Sequence, residues 1–398
     1  MLLLNTHPDF KSDLDPRDLA MLGPDGAAAI GRHLATRENP MPTPLRALPG
    51  LAAALGIGAL FVKDEGQRLG LGSFKALGGA YAVIRLAIEE ASRQLGRQFD
   101  DADIGDPALR KAAATMTFAC ATDGNHGRSV AQGAGLVGAK AVIFVHGGVS
   151  AERVAAIARF GAEMVRVAGT YDDSVREAAR VAAERGWTVV SDTSWEGYER
   201  IPGLVMQGYT AIASEAFAQL PQAPTHVFVQ AGVGGIAAAM AAQMATHYGA
   251  ARPLFTVVEP ELAACLFEAA RQGRPVTIAH GKPTVMAMLE CYEPSPIALR
   301  VLYRAADAFM TATDADAVEA MNRLARPTAG DSAIVAGESG AAGLAGLLAA
   351  MRDPEARTAL KLDARSRVLL INTEGATDPA RYAELVGLSP EQVLAGAA

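Results

Sequence analysis

Phe118-Ala119-Cys120-Ala121-Thr122-Asp123-Gly124-Asn125-His126-Gly127-Arg128 runs from an apolar strand through a tight polar turn into a helix. Such a junction sets backbone N–H groups and short polar side chains at the carboxyl end of a sheet, where open α/β folds bind ligands. Thr122, Asp123 and Asn125 are expected to point into that crevice. The plainer alternative is that Asp123 and Asn125 only cap the helix and shape the turn. The same order of elements recurs in both directions along the chain. Apolar runs at 59–63, 116–121, 141–146, 163–168, 188–192, 226–230, 254–259 and 367–372 read as strands, several of them apolar throughout, as strands buried on both faces are. Helical patterns at 151–160, 171–185, 234–246 and 340–351 lie between them. This alternation predicts an α/β fold with parallel sheets and helices on both faces. The first forty residues, broken by Asp-Pro, Gly-Pro and Asn-Pro, read as loops with short helices near 16–21 and 26–36.

The chain has 398 residues and a formal charge of −7, with half its residues apolar and a fifth charged. That is an ordinary globular composition with room for two domains, and nothing in it attracts nucleic acid or an anionic membrane. The four strands between 84 and 199 are expected to close as a small domain, with 1–83 and 200–398 forming a larger one. No apolar run reaches the ~18–20 residues of a bilayer span, and the opening apolar stretch is too short for a secretory signal. Cys120, Cys265 and Cys291 are too widely spaced for a zinc pattern and odd in number. A reducing cytoplasm and no metal are therefore expected. Only seven of the 36 basic residues are lysines, so a lysine in an apolar or glycine-rich segment stands out.

Lys75 is such a residue, in Gly70-Leu71-Gly72-Ser73-Phe74-Lys75-Ala76-Leu77-Gly78-Gly79 at a loop-to-helix junction. Burial lowers an amine's pKa, and a partly neutral amine is what Schiff-base chemistry needs. The alternative is a solvated lysine in the first turn of a surface helix. Val227-Phe228-Val229-Gln230-Ala231-Gly232-Val233-Gly234-Gly235-Ile236 is again strand, glycine turn and helix. It lacks full dinucleotide spacing and a Walker lysine, leaving a nest of N–H groups suited to one phosphate, or a plain tight connection. Val368–Asp378 is a late apolar strand ending in Thr373 and a glycine turn. Asp192 ends another strand-like run, where it either serves chemistry or caps the following turn.

Taken in order, these segments resemble the fold-type II pyridoxal-phosphate enzymes, the tryptophan-synthase-β and threonine-dehydratase group. The resemblance covers nearly the whole chain. It implies two domains, each with a twisted, mostly parallel sheet, and an active site in the cleft between them, the larger domain binding the cofactor. It implies pyridoxal 5′-phosphate on Lys75, with Asn125 at the phenolic oxygen, Gly232, Val233, Gly234 and Gly235 at the phosphate, and Thr373 at the pyridine nitrogen. Thr122-Asp123-Gly124-Asn125-His126-Gly127, the stretch 191–209, Gly337-Glu338-Ser339-Gly340 and Asn372-Thr373-Glu374-Gly375 narrow the resemblance to the members that act on 2,3-diaminopropionate. General threonine dehydratases carry a small neutral residue in place of Asp123 and lack the Trp195–Tyr198 stretch. Lys75, Asp123 and Asp192 would then be catalytic, the two aspartates serving opposite enantiomers. Ser73, Thr122 and Asp123 would face the substrate. Ala76-Leu77-Gly78-Gly79 departs from the group, many members of which have a basic residue and one glycine there.

An independent argument concerns the substrate. Diaminopropionate carries a second ammonium on Cβ, and a carboxylate facing it gains a charge-assisted contact of ~1.5–3 kcal/mol. A β-hydroxyl gives such a carboxylate no partner, so an extra aspartate suits a diamine better than serine or threonine. The expected reaction is elimination of ammonia from diaminopropionate, by a homodimer. A dehydratase or β-replacement enzyme on the same scaffold is the alternative, and a non-catalytic amino-acid sensor a more distant one.

Overall fold

The computed structural model describes residues 1–37, 40–122 and 124–396. Its strands are β1 (Leu2–Leu4), β2 (Leu45–Ala47), β3 (Ala59–Asp64), β4 (Thr117–Ala121), β5 (Lys140–His146), β6 (Glu163–Val167), β7 (Thr188–Val189), β8 (His226–Gln230), β9 (Leu254–Pro260), β10 (Ala308–Ala312) and β11 (Arg367–Asn372). The chain forms two compact units, Met1–Pro24 with Pro42–Phe74 and Ile212–Ala398, and Asp25–Met41 with Lys75–Ala211. The expected divisions at 83/84 and 199/200 thus move to 74/75 and 211/212, and 25–41 changes sides. The physical reason is the Lys75–Leu95 helix. It is continuous, so a division at 83 would cut it, and it packs along the Asn125–Val137 helix of the second unit. No helix among the described residues is long and apolar enough to cross a membrane.

The first unit holds a seven-stranded sheet in the order β1-β10-β9-β8-β11-β3-β2. The inner strands are parallel, with His226 opposite Leu254 and Val368, and Arg367 opposite Ala59. β8 is buried at all five positions. Phe228 and Leu370 share a core with Leu344 and Leu347 of the Ala342–Arg352 helix. The alternate residues turn to the opposite face, and the Gly235–Tyr248 helix also packs on β8. Because the strands are parallel, Gln230, Asn372 and Asp64 end at the same edge, which is where ligands bind. Two short antiparallel strands close the sheet, β1 on β10 and β2 on β3. The first of these lies in the segment expected to be loop. Three residues are too few to show a period, and only the pairing of Leu2 with Met310 makes them a strand.

The second unit holds a parallel sheet in the order β6-β5-β4-β7. β7 stops at Val189, three residues before the expected end at Asp192. Val190 makes one more ladder bond, to the Ala119 carbonyl at 2.8 Å. The chain then turns, so Asp192 stands beyond the sheet. The glycines after Lys75 have a packing role. A Cβ at Gly78 would lie 2.6 Å from the Tyr209 ring, and one at Gly133 would lie 2.7 Å from Ala80 Cα. Close helix contact around the start of the Lys75–Leu95 helix depends on these absent side chains.

Candidate active site

Lys75 is the first residue of its helix, and its Nζ donates to Asp192 Oδ2. Both side chains are about one-fifth exposed, at 22% and 21%. Burial would raise the Asp192 carboxyl. The Lys75 charge, His126 and the Lys75 hydrogen bond outweigh it and hold the carboxyl well below the usual carboxylate range. His126 approaches the same oxygen of Asp192. Its Nε2 is 2.8 Å from the Val190 carbonyl, and its Nδ1 is 3.9 Å from Asp192 Oδ2. Burial, reinforced by the Lys75 charge, pushes the His126 pKa down. The Tyr198 hydroxyl steadies the turn, donating to the Val189 carbonyl at 2.8 Å and accepting the Ser191 N–H at 3.1 Å. Trp195 stacks on Tyr198 with ring centroids 4.0 Å apart.

Thr122 and Asn125 belong to the same unit and are buried. The Thr122 hydroxyl oxygen accepts the N–H groups of Gly124 and Gly127, at 3.1 and 3.3 Å, and so ties the turn to the helix. Asn125 opens that helix, and its Oδ1 accepts from Arg128 at 3.4 Å. Asp123 lies outside the described residues. Lys63 is the other lysine in an apolar run, and it is committed elsewhere. Its Nζ is 2.6 Å from both the Thr43 carbonyl and Glu215 Oε2, and 2.9 Å from Gln219 Oε1.

The phosphate turn and Thr373 are in the first unit. Among the described residues, the N–H groups of Gly232 through Gly235 have no acceptor. Gly234 has φ +103°, and a Cβ there would lie 2.9 Å from Ala298 Cβ. Only glycine fits such a left-handed, crowded position without strain. Ser295 N–H donates to the Val233 carbonyl at 2.9 Å and anchors the turn. The Thr373 hydroxyl oxygen is 3.0 Å from Gln230 Nε2. That amide also faces the carbonyls of Ser339, Gly340 and Ile371 at 2.8–3.0 Å. Carbonyls only accept, so the amide nitrogen is the donor and the Thr373 proton is left for another acceptor. Phe74 N–H donates to the Thr373 carbonyl at 2.9 Å, and Lys75 is the next residue. Ser73 is buried in the same unit and bridges to Glu374.

The structure therefore brings Lys75 to Asp192, and Phe74 to Thr373. His126, Gln230 and Tyr198 were not singled out from sequence. His126 sits inside the Gly124–Gly127 motif, and Gln230 is the polar carboxyl end of a strand with an apolar middle, so both carried a signal.

The donor set suits a phosphorylated pyridine aldehyde. There is an amine at 75, an uncommitted row of N–H groups at a helix N-terminus for a phosphate, and a hydroxyl donor for a ring nitrogen. The chain belongs to the family described as "Pyridoxal-phosphate dependent enzyme", whose model matches residues 37–374. Within it, the diaminopropionate ammonia-lyase of Escherichia coli K12 is 40% identical over 352 residues, 87% of each chain. The enzyme of that name from Salmonella typhimurium is 38% identical over 354 residues, 86% of this chain and 87% of the relative. Crystal structures of the E. coli enzyme have been solved with an aminoacrylate–PLP azomethine intermediate and with D-serine. They match at TM-scores of 0.86 and 0.87 with 36% and 35% identity, over 97% of this chain and 96% of theirs. The fold is fold-type II. Tomato threonine deaminase shares it at TM-score 0.74 but only 19% identity, over 98% of each chain.

Proposed function

We propose that this chain is a carbon–nitrogen lyase that converts 2,3-diaminopropionate and one water into pyruvate and two ammonia. The observation that carries the proposal is the Lys75–Asp192 pair on a chain 40% identical to enzymes of that activity. When bound, pyridoxal phosphate supplies a sink for the electrons left at Cα by proton removal.

The chain's own residues do the rest. Lys75 is the amine that would hold the cofactor's aldehyde carbon. The Gly232–Gly235 N–H groups would hold its phosphate, Asn125 its phenolic oxygen, and the Thr373 hydroxyl its ring nitrogen. Ser73, Thr122 and Asp123 would orient the substrate. Asp192 is kept ionised and can take a proton from Cα on its own side, and Asp123 would do so from the other, so that both enantiomers are substrates. A homodimer in the cytoplasm completes the reading, and light scattering tests the dimer.

The test is ammonia and pyruvate release from D- and L-diaminopropionate, serine and threonine, measured side by side. The proposal expects diaminopropionate to have the highest kcat/KM. The second reading, a serine dehydratase on the same scaffold, is favoured by the D-serine complex of the E. coli relative. A higher kcat/KM on D-serine would establish it instead.

A further inference from the structure

His126 presents an arrangement that the elimination chemistry has not used. The Val190 carbonyl can only accept, so the hydrogen bond at 2.8 Å fixes the proton of the neutral imidazole on Nε2. Nδ1 then carries a lone pair. It is buried and, among the described residues, has no hydrogen-bond partner. It faces Asp192 Oδ2 across 3.9 Å. Two acceptors therefore confront each other with no proton between them. The same carboxylate oxygen receives the Lys75 ammonium. Lys75 and His126 thus meet at one oxygen of Asp192, and the excess proton is on the lysine.

We infer that His126 is the proton store of the Lys75–Asp192 pair, taking up the proton that Lys75 must lose before its amine can act. This rests on the proposed role of Lys75 as the cofactor-bearing amine. The balance is simple. An N–H bond of the Lys75 ammonium breaks, its proton passes to Asp192 Oδ2, and from there it forms a bond with His126 Nδ1. Lys75 is left as a neutral amine with its lone pair, and Asp192 is an anion before and after. Its partner changes from an ammonium to an imidazolium, so the half-buried carboxylate never stands without a cation. Closing the gap to a charge-assisted hydrogen bond needs Asp192 to move by about 1 Å, within reach of a small side-chain rotation.

The other ionisable groups nearby do not compete. Cys120 on β4 and Tyr209 on the Arg200–Gln219 helix are buried, Tyr198 beyond β7 is half-buried, and loss of solvation pushes all three towards their neutral forms. Lys75 and Asp192 are then the charged neighbours of His126 among the described residues. Burial and, after it, the Lys75 charge hold the imidazole pKa down, and Asp192 holds it up. Loss of the ammonium removes the Lys75 influence and leaves Asp192 to act against burial alone.

His126 acts through Asp192 and is a positioning residue, so its test must read protonation. The full-length chain labelled with ¹⁵N-histidine reports tautomer and charge directly. Without cofactor, His126 is expected as the neutral Nε2–H form from pH 6 to 8. Lys75→Met should raise its midpoint by at least about one pH unit, and adding Asp192→Asn should reverse the rise. Loading the wild-type chain with pyridoxal phosphate converts the ammonium without any mutation, and should raise the midpoint likewise. A neutral His126 in both Lys75→Met and the loaded chain at neutral pH would overturn the inference. The kinetic arm uses His126→Gln, which keeps a donor for the Val190 carbonyl but no titratable base. A fall of about tenfold in kcat, with KM and the melting temperature held and the acid limb of the pH profile displaced, is expected. An unmoved pH profile would refute the role. The histidine spectra do not depend on which substrate turns over, so failure of the lyase reading would show in the ammonia assay alone.

Discussion

Replacing Asp192 by asparagine separates the chemical role of this side chain from its structural one. The amide would keep the shape and still accept a hydrogen bond from Lys75, but it would carry no charge and could not take a proton. Each side chain of the pair is about one-fifth exposed. The lost charge assistance is therefore worth about 1–2 kcal/mol, at the lower end for hydrogen bonds to charged groups because solvent screens part of it. At about 2.1 cal/mol/K of unfolding entropy per residue, that corresponds in a chain of 398 residues to a fall of roughly 1–2.5 °C in melting temperature. The effect of pH on this difference has a definite sign. The Asp192 pKa is depressed in the folded chain. Its contribution is fully present above the unfolded pKa of about 3.9, and is lost as pH falls further towards the folded value. Wild type and variant should thus differ by a constant amount from pH 5 to 8 and converge in acid. Loss of a general base costs ~10²–10⁴ in rate. With the base on one side only, kcat/KM on pure L-diaminopropionate should fall by that factor. The D enantiomer should lose less than about tenfold. Equal losses on both enantiomers, with the melting curve as expected, would refute the two-sided assignment and leave Lys75 as the common base.

Lys75→Ala should abolish both the visible Schiff-base absorbance and turnover, as read by a spectrum and an ammonia assay, because Lys63 is held by three acceptors and cannot replace it. Gly234→Asp should weaken cofactor binding more than about 100-fold in a fluorescence titration, since a Cβ there meets Ala298 at 2.9 Å and the new charge repels phosphate. Glu259 is buried and accepts the N–H groups of Leu266 and Phe267, yet burial pushes its carboxyl up to about 8. Its unfolded value is about 4.3, so it should subtract stability as pH rises from there towards 8, and denaturant titrations of Glu259→Gln should lack that slope.

Much of the fold was legible because its inner strands are continuous apolar runs. β8 and β11 begin and end where the residues change character, at His226–Gln230 and Arg367–Asn372. β10 is as buried as β8 but carries no such mark, since Ala-Phe-Met-Thr-Ala holds no β-branched aliphatic residue. The candidate site carried a signal in sequence where one residue type suggests one chemistry, as with Lys75, which the structure places against Asp192. It was obscure where the role depends on partners distant in sequence. Gln230 matters because carbonyls at 339, 340 and 371 orient its amide, and no local pattern announces them. His126 lay in plain view within a quoted motif, yet its importance comes from Val190 and Asp192, more than sixty residues later. The glycines after Lys75 gave a mixed signal. They accompany the amine proposed to hold the cofactor, but the Tyr209 ring against Gly78 shows that helix contact requires them.

The two three-residue strands that close the seven-stranded sheet also cover what would otherwise be its open parallel edges. An open parallel edge offers a row of unpaired N–H and C=O groups to any other extended segment, and association of that kind ends in aggregation. Leu2–Leu4 occupies that row along β10, a strand buried at all five positions. Trimming the first four residues would strip no side chain from the proposed catalytic machinery. It would uncover an apolar, strand-competent edge, and the outcome should be loss of soluble protein at high concentration while each surviving molecule keeps its turnover.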